Sequence, residues 1–132
     1  MGKYGQAALK AVALVTGGKT ADPADAWRQA TIPLFGKGTE AQRKSCPRDA
    51  FLGCCEAGFV KGIKPGNYTR STLNKLYAVT AAHILKINPS LANLTEIDLW
   101  KKVLSQLRKA TSKTHNDQMH VVLTLFRNKL LI

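Results

Sequence analysis

Arg70, Ser71, Thr72, Asn74 and Lys75 stand within one short stretch, RSTLNK, that reads as the opening of a helix. Arg and Lys neutralise phosphates, and Asn and Thr hydrogen-bond base edges. A helix N-terminus adds free backbone N–H groups and a positive dipole end that favour phosphate. Just upstream lie Lys61, Lys64 and Tyr68 in a Gly- and Pro-containing turn, and before them Arg43, Lys44 and Arg48 around a helix start. The expected chemistry is phosphate contact by Arg43, Lys44, Arg48, Lys61, Lys64, Arg70 and Lys75, with Tyr68 beside them and Thr72 and Asn74 as base readers. Two helices joined by a basic turn resemble a helix-turn-helix reader. The joint of about a dozen residues is longer than the usual 3–4.

A second constellation is a thiol. Cys46 precedes Pro47 at a helix start, with Arg43, Lys44 and Arg48 close in sequence. Cations and a helix dipole lower a thiol pKa, and His115 with Asn116 would complete a Cys/His/Asn arrangement if the fold brought them together. This is the remote alternative. Cys54 and Cys55 lie mid-helix, and Cys54 fits the core face as a small hydrophobe. The histidines His83, His115 and His120 lack metal-ligand spacing, so no metal or other cofactor is expected; His115 is read as capping the last helix and His120 as facing solvent. Gly17-Gly18-Lys19-Thr20 contains GKT, but the residue five before Gly18 is Ala13, so a phosphate-binding P-loop is excluded. Asp49 and Glu56 are seven apart on one helix and balance local cations rather than pair for acid–base work.

The elements that must position these groups follow from periodicity. Residues 3–16 read as a helix ended by Gly17-Gly18, with Tyr4, Ala8, Ala11, Val12 and Val15 on one face. Asp22 caps a second helix with Pro23 in its first turn; that helix is expected to end before Pro33, because a residue preceding proline is disfavoured in the α region. Gly36 and Gly38 mark a loop. Ser45-Cys46-Pro47 opens a third helix with Ala50, Phe51 and Cys54 inward, closed by Gly58 in a left-handed cap. Residues 59–69 read as a turn or short hairpin. Thr69 or Ser71 caps a helix to about Ile87 whose stripe is Leu73, Leu76, Tyr77, Thr80, Ala81, Ile84 and Leu85. Thr95 starts a fifth helix with Ile97, Trp100, Val103, Leu104 and Leu107 on one side. A last helix is expected from about Thr114 to the end, with Met119, Val122, Leu123 and Phe126 inward. The fold class is therefore mainly α: a single basic helical domain over 1–132, with about five or six helices.

Composition sets the partner class. The 132 residues hold 20 Lys and Arg against 8 Asp and Glu, a net charge of +12 spread along the chain. That excess favours a polyanion such as nucleic acid. No apolar run is long enough to span a membrane and no export signal is visible, so a cytoplasmic chain with free thiols is expected. A non-enzymatic interaction or small-ligand module is the alternative, with Leu130, Leu131 and Ile132 docking a partner or closing a homodimer. Lys101, Lys102, Arg108, Lys109 and Lys113 form a further basic strip.

The blocks MGKYGQAALKAV, DPADAW, CPRDAFLGCCEAGFVKGI, YTRSTLNKLYA and THNDQMHVVLTLF together resemble a family of small bacterial proteins known as a domain of unknown function, some of them products of mobile gene cassettes. The resemblance spans nearly the whole chain and is most specific in the CPR…VKGI block. It implies no activity and no site residues.

Overall fold

In the computed structural model, which describes residues 2–132, Ala-rich helix faces meet at short spacing. The described residues hold six helices of ten or more residues and one single-turn helix: α1 (Lys3–Thr16), α2 (Pro23–Phe35), the single turn α3 (Glu40–Arg43), α4 (Ser45–Glu56), α5 (Thr72–Ile87), α6 (Glu96–Gln106) and α7 (Gln118–Arg127). A 3-10 turn at Pro89–Asn93 links α5 to α6. α7 is buried along most of its length and packs against α1, α4, α5 and α6. α1 pairs chiefly with α2, and α4 with α5.

Small residues set those pairings. Ala7, Ala8 and Ala11 of α1 and Ala78, Ala81 and Ala82 of α5 are fully buried. Gly53 of α4 faces the α5 backbone so closely that a Cβ there would lie 2.6 Å from Lys75 Cα. Around these crossings the aromatic side chains pair off. Trp27 stacks on Phe51 at 5.3 Å, and Tyr77 meets Trp100 edge-on at 4.7 Å.

The expected caps form. Asp22 accepts from Ala24 N–H, Ser71 from Asn74 N–H, and Thr95 from Asp98 N–H. Gly58 takes φ +79°; its N–H reaches Cys55 O and the Phe59 N–H reaches Cys54 O, closing α4 in a Schellman motif.

Several expectations fail, each for a tertiary reason. α2 continues through Pro33 to Phe35. A proline so near the end forfeits little of the ladder, and the extra turn is held by Tyr4 against the Phe35 ring (4.6 Å) and by Lys3 Nζ donating to Leu34 O (3.3 Å). Of the turn or short hairpin expected over 59–69, the turn forms, with Ile63 N–H on Val60 O (3.1 Å), and the hairpin does not. Val60 instead pairs with Leu131, with Lys61 N–H on Leu130 O (2.8 Å) and Ile132 N–H on Phe59 O (2.9 Å). Leu130 and Leu131 are thus half-buried on their own chain. Leu73 and Leu76 are each 43% exposed, because α5 turns its alanines to the core, and Ile97 is exposed while Leu99 is buried. α7 starts at Gln118, not near Thr114, because the chain before it spans a loop whose Lys113 O accepts the Trp100 indole N–H (2.7 Å).

Candidate anion-binding cleft

The segment before α5 is a strap tied down onto α4 by two carboxylates. Glu56 accepts from Tyr68 N–H (2.8 Å), Thr69 N–H (3.3 Å) and Lys75 Nζ (2.7 Å). Lys75 and the two backbone donors hold the Glu56 carboxyl below its ordinary pKa. Asp49, buried, accepts from Thr69 Oγ1 (3.0 Å), and Thr69 Oγ1 in turn accepts from Ser71 N–H (3.1 Å). Arg70 therefore projects from between two anchored residues.

The opposite wall is built from α2 and α3. Gln42 Nε2 donates to the buried Thr31 Oγ1 (3.1 Å), its Oε1 accepts from Gly38 N–H (3.1 Å), and Tyr4 OH donates to Ala41 O (2.9 Å). These bonds hold Arg43, the last residue of α3, and Lys37, in the preceding loop, at the cleft that Arg70 also lines. Between the walls is a cleft of about 610 Å³. Its lining includes the apolar Ala24, Trp27, Ile32 and Leu52. Its cations are Arg28, Lys37, Arg43, Arg48 and Arg70, against the single acid Asp49. Arg28 pairs with Asp25 (2.6 Å) and Arg48 lies side-on against Asp49 (3.2 Å). Lys37, Arg43 and Arg70 form no ion pair among the described residues. Trp27 is 2% exposed, and its Nε1–H has no acceptor.

Of the residues singled out from sequence, Arg43, Arg48, Tyr68 and Arg70 thus meet at one cleft. The others lie elsewhere. Lys44 donates to Asp117 Oδ2 (2.7 Å), which raises its pKa, and sits over the Tyr4 ring. Lys75 is held by Glu56, and Asn74 Oδ1 accepts from the buried Gln118 (3.1 Å). Lys61 and Lys64 are exposed on the loop, outside the cleft walls, and Thr72 lines a neighbouring groove of about 330 Å³ with Leu76 and Val79. Sequence reading missed Arg28, Lys37 and Asp49 as cleft residues. Only the fold of α2 against the strap joins them to Arg70, and no local pattern marks that.

The chain belongs to a family of unknown function, DUF6979. The match runs over residues 1–132. No curated protein and no solved structure matches the chain. Membership in DUF6979 brings no site with it, so the chemistry is read from the side chains alone.

Two other constellations lie outside the cleft. Glu96, Asp117 and His120 bring one ligand atom each to within 4.8 Å of one another. Lys44 already neutralises Asp117, and His120 Nε2 accepts the Gly2 N–H (3.1 Å). His120 is thus engaged rather than solvent-facing, its side chain 13% exposed. His115 lies before α7 and does not cap it; it lines a small cavity with Glu96, Ile97 and Arg127, whose walls do not include Cys46. Burial pushes the Cys54 thiol up to about 12 and the Cys55 thiol up as well, as core residues behave. No helix among the described residues is long and apolar enough to cross a membrane.

Proposed function

We propose that this protein binds nucleic acid without catalysing a reaction, gripping phosphates with the cations of the α2–α4 cleft. The observation that carries this is the set of three unpaired cations, Lys37, Arg43 and Arg70, facing one concavity on a chain of net charge +12. Like charges gathered without counter-ions cost free energy when free and are relieved by an anion. Fixed guanidinium groups suit the bidentate geometry of phosphate, and Asp49 fixes Arg48 in that way, leaving part of its fork free.

The test is fluorescence anisotropy with labelled oligonucleotides across a salt series. Affinity falls steeply with salt, and the slope counts contacts at roughly 0.7–0.9 per phosphate. Replacing both Arg43 and Arg70 by Ala should weaken binding on every sequence and lower that slope by about 1.5. The pair Lys61→Ala and Lys64→Ala, outside the cleft, should have a smaller effect. Unchanged affinity and slope in the Arg43/Arg70 variant would remove the cleft from the interface. A protein-docking module is the second reading, and the exposed Leu73 and Leu76 favour it over the C-terminal leucines, which the chain covers itself.

A further inference from the structure

We infer that the cleft takes a single unstacked nucleotide, its base against the apolar lining and its phosphate on the rim at Arg43 and Arg70. This rests on the phosphate-gripping reading above and goes beyond it. Here the cations stand around a cleft of about 610 Å³, within the roughly 300–1,000 Å³ range of sites that enclose a small ligand. A phosphate ion on the rim would leave the half-buried Ala24 and Ile32 facing water. A planar apolar body attached to that phosphate would cover them, and a nucleobase is such a body.

The distribution of charge points the same way. The unpaired cations belong to the loop before α3, the end of α3 and the strap, whereas the acid, Asp49, is 7% exposed on α4. A carboxylate there accepts hydrogen bonds from N–H groups, which base edges carry and phosphates lack. Its oxygens already hold Thr69 and Arg48, so the acceptor is fixed in place before a ligand arrives. The walls are likewise held in advance, by Gln42 on Thr31 and by Glu56 on the strap. Bases inside a duplex are paired and stacked, and taking one out costs free energy. The ligand is therefore a nucleotide that is already unstacked, supplied either by a single strand or by a free mononucleotide.

The decisive comparison is direct binding, at one salt concentration, of a single-stranded 12-mer, the same-length strand with abasic residues, and the 12-mer duplex. The abasic strand keeps every phosphate and loses every base. Both it and the duplex should bind roughly tenfold more weakly than the natural strand, given what one base contact contributes. Electrostatics alone predicts the opposite order for the duplex, whose charge density is higher. Ala24→Leu, which narrows the cleft without changing charge, should bring the natural strand down to the abasic level and leave abasic binding unchanged, with circular dichroism confirming the helices. Competition by free AMP, GMP, CMP and UMP separates the two sources: displacement at similar nucleotide concentration points to the mononucleotide, and displacement by the strand alone to the polymer. Equal binding of natural and abasic strands, or tighter binding of the duplex, overturns the inference and leaves phosphate gripping intact. No binding of any oligonucleotide even at low salt overturns both.

Discussion

Gly53→Ala tests whether the α4–α5 contact is as close as the structure has it, and the sign of the result decides. A Cβ on Gly53 would stand 2.6 Å from Lys75 Cα, 2.8 Å from its Cβ and 3.0 Å from its Cγ. Carbon atoms rest at about 3.5–4.0 Å, so the helices must part by roughly 1 Å. The first obstacle is backbone, which cannot rotate aside. Overpacking of this kind costs about 1–3 kcal/mol. Against it, Ala gains up to about 1 kcal/mol over Gly in a helix interior. The net is a loss of about 1–2 kcal/mol, or a fall in Tm of roughly 3–8 °C for a chain of this size. The same movement would stretch the Glu56–Lys75 pair and the Asp49–Thr69 bond that hold the strap. Thermal and urea unfolding with an unchanged m-value provide the assay. A Tm equal to or above wild type would show that helix propensity outweighs the contact and would refute the close crossing.

Two helix ends and one carboxylate yield further predictions. Arg108 and Lys129 adopt φ +59° at the positions where Gly18 and Gly58 close α1 and α4, with the same pair of bonds closing α6 and α7 behind them. A left-handed L-residue costs about 1–2 kcal/mol and glycine's greater chain entropy returns about 0.5–1, so Arg108→Gly and Lys129→Gly should each stabilise by about 0.5–1 kcal/mol. A lower Tm in both would count against that geometry. Glu56 is held below its ordinary pKa of 4.5 by Lys75 and by the Tyr68 and Thr69 amides. A carboxyl with a depressed folded-state pKa adds stability that is present above about pH 4.5 and lost as pH falls through the lower folded value. Glu56→Gln should therefore unfold more easily at pH 7, with its deficit shrinking on acidification; a deficit constant between pH 7 and pH 3 contradicts the assignment.

Local signals read from the chain were sound where a single residue's chemistry suffices. Asp22, Ser71 and Thr95 cap helices because a short side-chain oxygen reaches the N–H groups two or three residues on. Gly58 closes α4 because it takes a left-handed φ without a Cβ penalty. Signals failed where the partner lies far along the chain. The stripe on α5 holds at Tyr77, Thr80, Ala81 and Leu85 and fails at Leu73 and Leu76, because large side chains outweigh alanine in a hydrophobic pattern while close helix crossings demand alanine. Local pattern leaves a turn or a hairpin open around Val60, and the strand partner that settles it, Leu131, lies at the other end of the chain.

The candidate site divides along the same line. The sequence by itself determined the mainly helical class, the helix starts that carry a side-chain cap and the cationic excess, since periodicity, capping and charge are local or additive. It also pointed to Arg43, Arg48, Tyr68 and Arg70. Only the tertiary structure decided which cations face one another. Lys44 and Lys75 found carboxylates 73 and 19 residues away, and Arg28 and Lys37 joined Arg70 across the chain. Whether a cation is free or neutralised depends on what lies within about 4 Å of it in space, and sequence separation does not encode that distance.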